Sequence, residues 1–221
     1  MSRFTQIFAG AKKRGETVLI PYFTVGDPSL GASLEIALAL AEAGAGILEL
    51  GVPFSDPVAD GPVIQAASQR ALARGTRLED VLELARQIRR RSEVGLLLFS
   101  YFNPILRFGV ERFAQAAAEA GADGVLVTDL IVEEAEPYRS RVRGKGLDTV
   151  FLAAPTSPDD RLAAIGRASS GFVYAVSRLG VTGARSQVSA GAEALVGRMR
   201  RQSELPIALG FGLSRPEQVA Q

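Results

Sequence analysis

The strongest constraint on this chain is a repeat. Short apolar runs rich in Val, Ile and Leu recur along it, each bounded by Gly, Pro or Asp. Most are followed by a longer stretch whose apolar residues return at helical spacing. The pattern predicts strands over 18–25, 47–52, 95–99, 124–128, 149–153, 172–176 and 207–210. It predicts helices over 30–43, 63–73, 78–90, 110–120, 133–145, 159–168 and 190–201. A strand buried on both faces has no polar side to alternate with, so near-continuous apolar strands between helices mean a parallel sheet covered by helices.

Local punctuation agrees with this reading. Ala43-Gly44-Ala45 and Ala120-Gly121-Ala122 read as helix stops leading straight into strands. Ser157-Pro158-Asp159 and Ser214-Arg215-Pro216-Glu217 read as helix starts, a capping hydroxyl before a proline with an acid close behind. The connection between the second and third strands carries two helices. An open doubly wound sheet and a (β/α)8 barrel both fit the alternation. The barrel is favoured, because no Gly-rich dinucleotide fingerprint follows the first strand and polar residues crowd the C-terminal ends of several strands. Such a barrel uses roughly 250 residues, and this sequence of 221 stops just after its seventh strand. The expectation is therefore a single TIM-barrel domain over 1–221, lacking the eighth βα unit.

Composition narrows the chemistry. The sequence contains neither Cys nor His, which removes disulfides, thiolate nucleophiles and imidazole in either a triad or a metal site. Acid–base work falls to Asp, Glu, Lys, Arg or Tyr. A net charge of +1 argues against a nucleic-acid surface, and the arginine clusters 89–91 and 198–201 read as solvated helix ends. No stretch approaches roughly 20 uninterrupted apolar residues, and the N-terminus lacks a signal-peptide run, so a cytoplasmic setting is expected.

Two carboxylates stand out. Glu49 lies between Leu48 and Leu50 inside an apolar strand. Pointing into a barrel it would be desolvated and its pKa raised, suiting it to act first as acid and then as base. The same residue could instead face solvent or pair with an arginine. The loop that follows is stiffened by Pro53, Pro57 and Pro62 and is expected to carry Asp56 and Asp60 exposed, where a second carboxylate could meet a substrate from the open side. Asp60-Gly61-Pro62 is equally readable as a turn plus helix start. Gly-rich stretches follow the sixth and seventh strands, 177–184 and 210–214, and glycines there would let backbone N–H groups approach a phosphate at a helix N-terminus. Tyr174 could line a pocket and orient the glutamate, and Asp129 could bind a ligand or cap the next helix. Tyr22, Leu126 and Phe211 suit a flat aromatic ligand or ordinary packing.

These motifs together resemble the tryptophan synthase alpha subunit family. The likeness is carried by Glu49-Leu50-Gly51-Val52-Pro53-Phe54-Ser55-Asp56-Pro57 with Ala59-Asp60-Gly61-Pro62. It extends through Ser177-Arg178-Leu179-Gly180-Val181-Thr182-Gly183-Ala184 to Gly210-Phe211-Gly212. The phrases 21–28 and 101–105 also look like that family. The resemblance implies a (β/α)8 barrel that cleaves indole-3-glycerol phosphate to indole and glyceraldehyde 3-phosphate. It makes Glu49 the catalytic acid–base, and Asp60 the group that hydrogen-bonds the indole N–H. Gly183, Phe211 and Gly212 would bind the phosphate, Tyr22, Leu126 and Tyr174 would line the indole, and Thr182 would meet Asp60 on loop closure.

It further implies an alpha2beta2 complex whose beta subunit carries pyridoxal phosphate, with no cofactor in this chain. The loops 53–60 and 103–108 would face that partner. Ile131 stands where many relatives have proline. A seven-stranded barrel would leave an open seam between its first and last strands. Two other readings of the same resemblance are a subunit that only binds and activates a beta partner, and a stand-alone lyase that releases indole.

Overall fold

The computed structural model describes residues 1–176 and 190–210. After an N-terminal helix, α1 (Arg3–Arg14), strands and helices alternate: β1 (Tyr22–Thr24), α2 (Leu30–Glu42), β2 (Ile47–Gly51), then α3 (Pro62–Ala73) and α4 (Leu78–Arg89) before β3 (Gly95–Ser100). Next come α5 (Phe102–Phe108), α6 (Val110–Glu119), β4 (Gly124–Val127), α7 (Glu136–Gly144), β5 (Asp148–Val150) and β6 (Leu152–Ala153). The order closes with α8 (Asp159–Ala168), β7 (Val173–Val176), α9 (Ala190–Arg200) and β8 (Ile207–Gly210). Every ladder is parallel. One sheet runs in the order β1 to β5 and a second in the order β6 to β8.

The single strand expected over 149–153 is thus two. At Phe151 the chain stops pairing with β4 and starts pairing with β7, and the Phe151 carbonyl accepts the Tyr174 N–H at 3.1 Å. A short helix, α5, replaces the loop expected after β3. Both Ala-Gly-Ala phrases stop their helices as read: Gly44 and Gly121 take φ of 96° and 80°. Their neighbours Ala45 and Ala122 close back onto the carbonyls of Leu40 and Ala117. The Ser157 phrase does not work as expected. Pro158 is the N-cap of α8, with no side-chain cap, and the Ser157 hydroxyl accepts instead from the Ala154 N–H at 3.2 Å, tightening the preceding turn. The Ser214 phrase lies outside the described residues.

Alternation along the strands divides the core in two. Leu48, Leu50, Leu96, Leu98, Val125 and Val127 face outward, against the helices. Ile47, Leu97, Phe99, Leu126, Val150, Phe172 and Tyr174 form the inner cluster with Tyr22 and Ala208. Helix α1 floors this interior. Its Phe4 is fully buried and meets Phe172 edge-on, with ring centroids 5.5 Å apart. It fits because Gly124 and Gly171 leave space; a Cβ on either would stand 2.6 or 2.9 Å from the Phe4 ring.

Arg89 is no solvated helix end. Its guanidinium donates to Asp123 at 2.7 Å and to the Gly121 and Ser92 carbonyls, while Arg3 of α1 takes the other Asp123 oxygen at 3.0 Å. One carboxylate thereby ties α1, α4 and, through the Leu96 N–H, β3. Arg198 likewise anchors α9 to Asp159 and to the Pro155 and Ser157 carbonyls. Arg90, Arg91, Arg200 and Arg201 are exposed as expected.

Candidate active site

Glu49 is at the middle of β2, level with Tyr22 on β1 and Leu97 on β3. Leu48 and Leu50 face the helices, so the two-residue period turns Glu49 inward. It is 2% exposed, and its Oε1 has no hydrogen-bond partner among the described residues. Burial in this apolar interior pushes its pKa up to about 8, opposed only in part by a hydrogen bond from Tyr174. The carboxyl therefore holds its proton near neutral pH, as the sequence reading requires of an acid that later becomes a base.

Asp60 corrects an expectation. It is not exposed on its loop but 5% accessible, while Asp56 on the same loop is exposed. The loop folds inward because Tyr101, at the end of β3, reaches across to it. The phenol oxygen accepts the Ala59 N–H at 2.9 Å and donates its proton to Asp60 Oδ2 at 3.1 Å. Burial raises the Asp60 pKa, and the Tyr101 hydrogen bond offsets that rise only in part. Tyr101 is the residue that reading for site chemistry missed. Its signals in the sequence are its place at the C-terminal end of an apolar strand, where barrels put functional groups, and its position at the start of the family-like phrase 101–105.

Two tyrosines flank the carboxylates, and each lies over a glycine of the neighbouring strand. Tyr22 crosses Gly51 and Tyr174 crosses Gly210. A Cβ at position 51 would be 2.3 Å from the Tyr22 oxygen, and one at 210 would be 2.1 Å from the Tyr174 oxygen. Tyr22 also packs edge-on against Phe99 at 5.3 Å and hydrogen-bonds the Thr24 hydroxyl at 3.3 Å. Burial raises the pKa of its phenol, and the nearby Asp60 and Glu49 charges add to the rise. Leu126 is fully buried in the same interior. Thus Tyr22, Glu49, Leu126 and Tyr174 converge, and Asp60 is held at the rim within reach of the Tyr22 field.

Asp129 does not cap the helix that follows β4, whose N-cap is Ala135 with no side-chain cap. Its Oδ1 accepts the Phe102 N–H at 2.7 Å, at the start of α5 on the neighbouring unit. Thr182, Gly183, Phe211 and Gly212 lie outside the described residues. Among the described residues no Asp/Glu group has the makings of a metal site, and no helix is long and apolar enough to cross a membrane.

A parallel barrel wall with a buried, proton-holding glutamate at its centre and an aspartate carried over it on the next loop defines a (β/α)-barrel protein equipped for acid–base chemistry. The family model described as Tryptophan synthase alpha chain matches residues 8–221. The tryptophan synthase alpha chain of Solibacter usitatus is 52% identical over 221 residues, which are 100% of this chain and 83% of that one. That of Carboxydothermus hydrogenoformans is 50% identical over 220 residues, 100% of this chain and 82% of the relative. Among solved structures, tryptophan synthase from Mycobacterium tuberculosis superposes with a TM-score of 0.91 at 41% identity, covering 96% of this chain and 81% of that one. A chain of the a2b2 complex from Pyrococcus furiosus gives 0.87 at 45% identity, covering 92% and 82%.

The chain belongs to the tryptophan synthase alpha chain family. It is accordingly a lyase of tryptophan biosynthesis, whose reaction is the cleavage of indole-3-glycerol phosphate to indole and glyceraldehyde 3-phosphate.

Proposed function

We propose that Glu49 and Asp60 divide the work of this cleavage. Glu49, still protonated near neutral pH, gives its proton to C3 of the indole and leaves a cation delocalised onto the ring nitrogen. The Glu49 carboxylate then takes the proton of the glycerol hydroxyl next to the ring. The C–O bond of that carbon becomes a carbonyl, the bond to C3 breaks, and its electron pair restores the aromatic indole. One proton is delivered and one recovered, so Glu49 ends as it began. Asp60 accepts the indole N–H and stabilises the positive charge while it lasts, an effect that gains in value where water is excluded.

The observation that carries this reading is Glu49 itself, a carboxyl inside the wall of β2 that burial holds protonated, with a second buried carboxyl, Asp60, fixed on the following loop by a hydrogen bond from Tyr101. Tyr22, Leu126 and Tyr174 line the indole, Gly183, Phe211 and Gly212 hold the phosphate through backbone N–H groups, and Thr182 meets Asp60. No cofactor belongs to this chain.

The same reading gives the chain a beta subunit as partner in an alpha2beta2 tetramer, with pyridoxal phosphate in that partner, in the cytoplasm. In its support, a groove lined by Pro53, Phe54, Asp56, Asn103, Arg107 and Phe108 runs outside the carboxylate site. Both loops expected to face the partner meet there. Indole formation from indole-3-glycerol phosphate, measured with and without a beta subunit, tests the proposal. Activity that rises with the partner supports it, and fast turnover unaffected by a partner would favour a stand-alone lyase.

A further inference from the structure

We propose that Tyr101 is a positioning residue that keeps Asp60 ionised by spending its one phenolic proton on Oδ2 while the Ala59 N–H holds the phenol oxygen from behind. This rests on the roles given above to Glu49 and Asp60, and deepens them by saying what allows a buried aspartate to carry charge.

The hydrogen-bond directions leave little freedom. A backbone N–H can only donate, so the Tyr101 oxygen accepts from Ala59. A hydroxyl has one proton, and here it is donated to the Asp60 carboxylate. The ring is itself buried and packs tilted against Phe54, with centroids 5.2 Å apart. Its ordinary proton loss is pushed up by burial and by the Asp60 charge, and the hydroxyl stays a donor throughout the working pH range.

Nothing else on the described residues does this for Asp60. The titratable groups around it are Tyr22 on β1, Glu49 on β2 and Tyr101 at the end of β3. Asp56 is on its own loop and turned to solvent. Among the described residues no arginine or lysine offsets its charge, and the Tyr101 hydrogen bond is what opposes burial. Because the phenol also grips the Ala59 N–H, it sets the position of the carboxylate and its charge with the same atom.

The test is the pH profile of kcat for Tyr101→Phe. A hydrogen bond to a carboxylate favours its charged form, so its loss raises the Asp60 pKa, and activity that needs ionised Asp60 is lost at higher pH than before. The acid limb should move up by about one to two pH units, with the rate deficit shrinking steadily toward the alkaline side. A deficit that is equal at every pH, or an unmoved acid limb, would overturn the proposal. Should Tyr101→Phe fail to fold, 3-fluorotyrosine placed at 101 keeps the shape and makes a stronger donor. The acid limb should then move down, and an unmoved limb again overturns the proposal. Asp60→Asn separates the two levels. If that variant keeps the normal rate, the role of Asp60 itself is wrong. If it is inactive while the Tyr101→Phe limb does not move, only the inference about Tyr101 fails.

Discussion

The phenol of Tyr174 occupies the space where a side chain at Gly210 would be, so that a Cβ built there stands 2.1 Å from its oxygen. This overlap matters because the same phenol hydrogen-bonds Glu49. Gly210→Ala should therefore displace Tyr174 and reorient the glutamate behind it. Misplacement of a catalytic group by about 1 Å costs on the order of 100-fold in rate. Steady-state indole formation should fall by about that factor with the far-UV circular dichroism unchanged, whereas a normal rate would show that the ring has another place to go.

Gly51 and Tyr22 repeat the arrangement on the opposite side of Glu49, and their separation offers an independent comparison. A Cβ at 51 would meet the Tyr22 oxygen at 2.3 Å, but the Tyr22 hydroxyl bonds Thr24 where that of Tyr174 bonds Glu49. Gly51→Ala should raise KM for indole-3-glycerol phosphate more than it lowers kcat, the reverse of the balance at Gly210. The split between KM and kcat in the two variants decides the matter.

Burial of Glu49 also has a cost in stability. Its pKa is about 8 in the folded protein against roughly 4.3 in an unfolded chain. A carboxyl whose folded pKa is raised stabilises the fold below the unfolded value, and that contribution is lost as pH rises through the folded one. Between about pH 4 and 8 the loss is at most roughly 5 kcal/mol. Glu49→Gln carries no such penalty, so its melting temperature should exceed that of the parent by a margin that widens from pH 5 to pH 8. A margin independent of pH would mean that Glu49 is not desolvated as described.

Much of this was legible in the sequence, and the misses share a cause. Strands β2, β3 and β4 fall where apolar runs mark them, because burial on both faces leaves a signal within four to six residues. Glu49 was legible for the same reason, as a charge where the run permits none. Asp60, by contrast, reads as a loop residue beside Gly and Pro. Its burial depends on Tyr101, 41 residues on. Arg89 reads as a solvated helix end until Asp123, 34 residues away, is brought beneath it. The break at Phe151 was hidden because both halves are equally apolar and only the exchange of β4 for β7 as neighbour separates them. Local pattern reports burial; it does not report which distant group satisfies a polar atom.

The floor of the barrel should matter to stability and not to chemistry. Phe4 is fully buried against Phe172 in the space left by Gly124 and Gly171. Phe4→Ala should cost about 3–5 kcal/mol, seen as a lower urea midpoint, while the folded fraction keeps its kcat. A large loss of kcat with little change in midpoint would place α1 closer to the reaction than its position beneath the strands implies.

Acid–base work by Glu49 is the central claim, and Glu49→Gln tests it most directly. The amide preserves shape but can neither deliver the proton to C3 nor recover one from the glycerol hydroxyl. In single-turnover measurements with indole-3-glycerol phosphate, release of indole should drop by about 1,000-fold or more, with the substrate bound as tightly as before. Indole released at near the parent rate by the Glu49→Gln protein would contradict the mechanism.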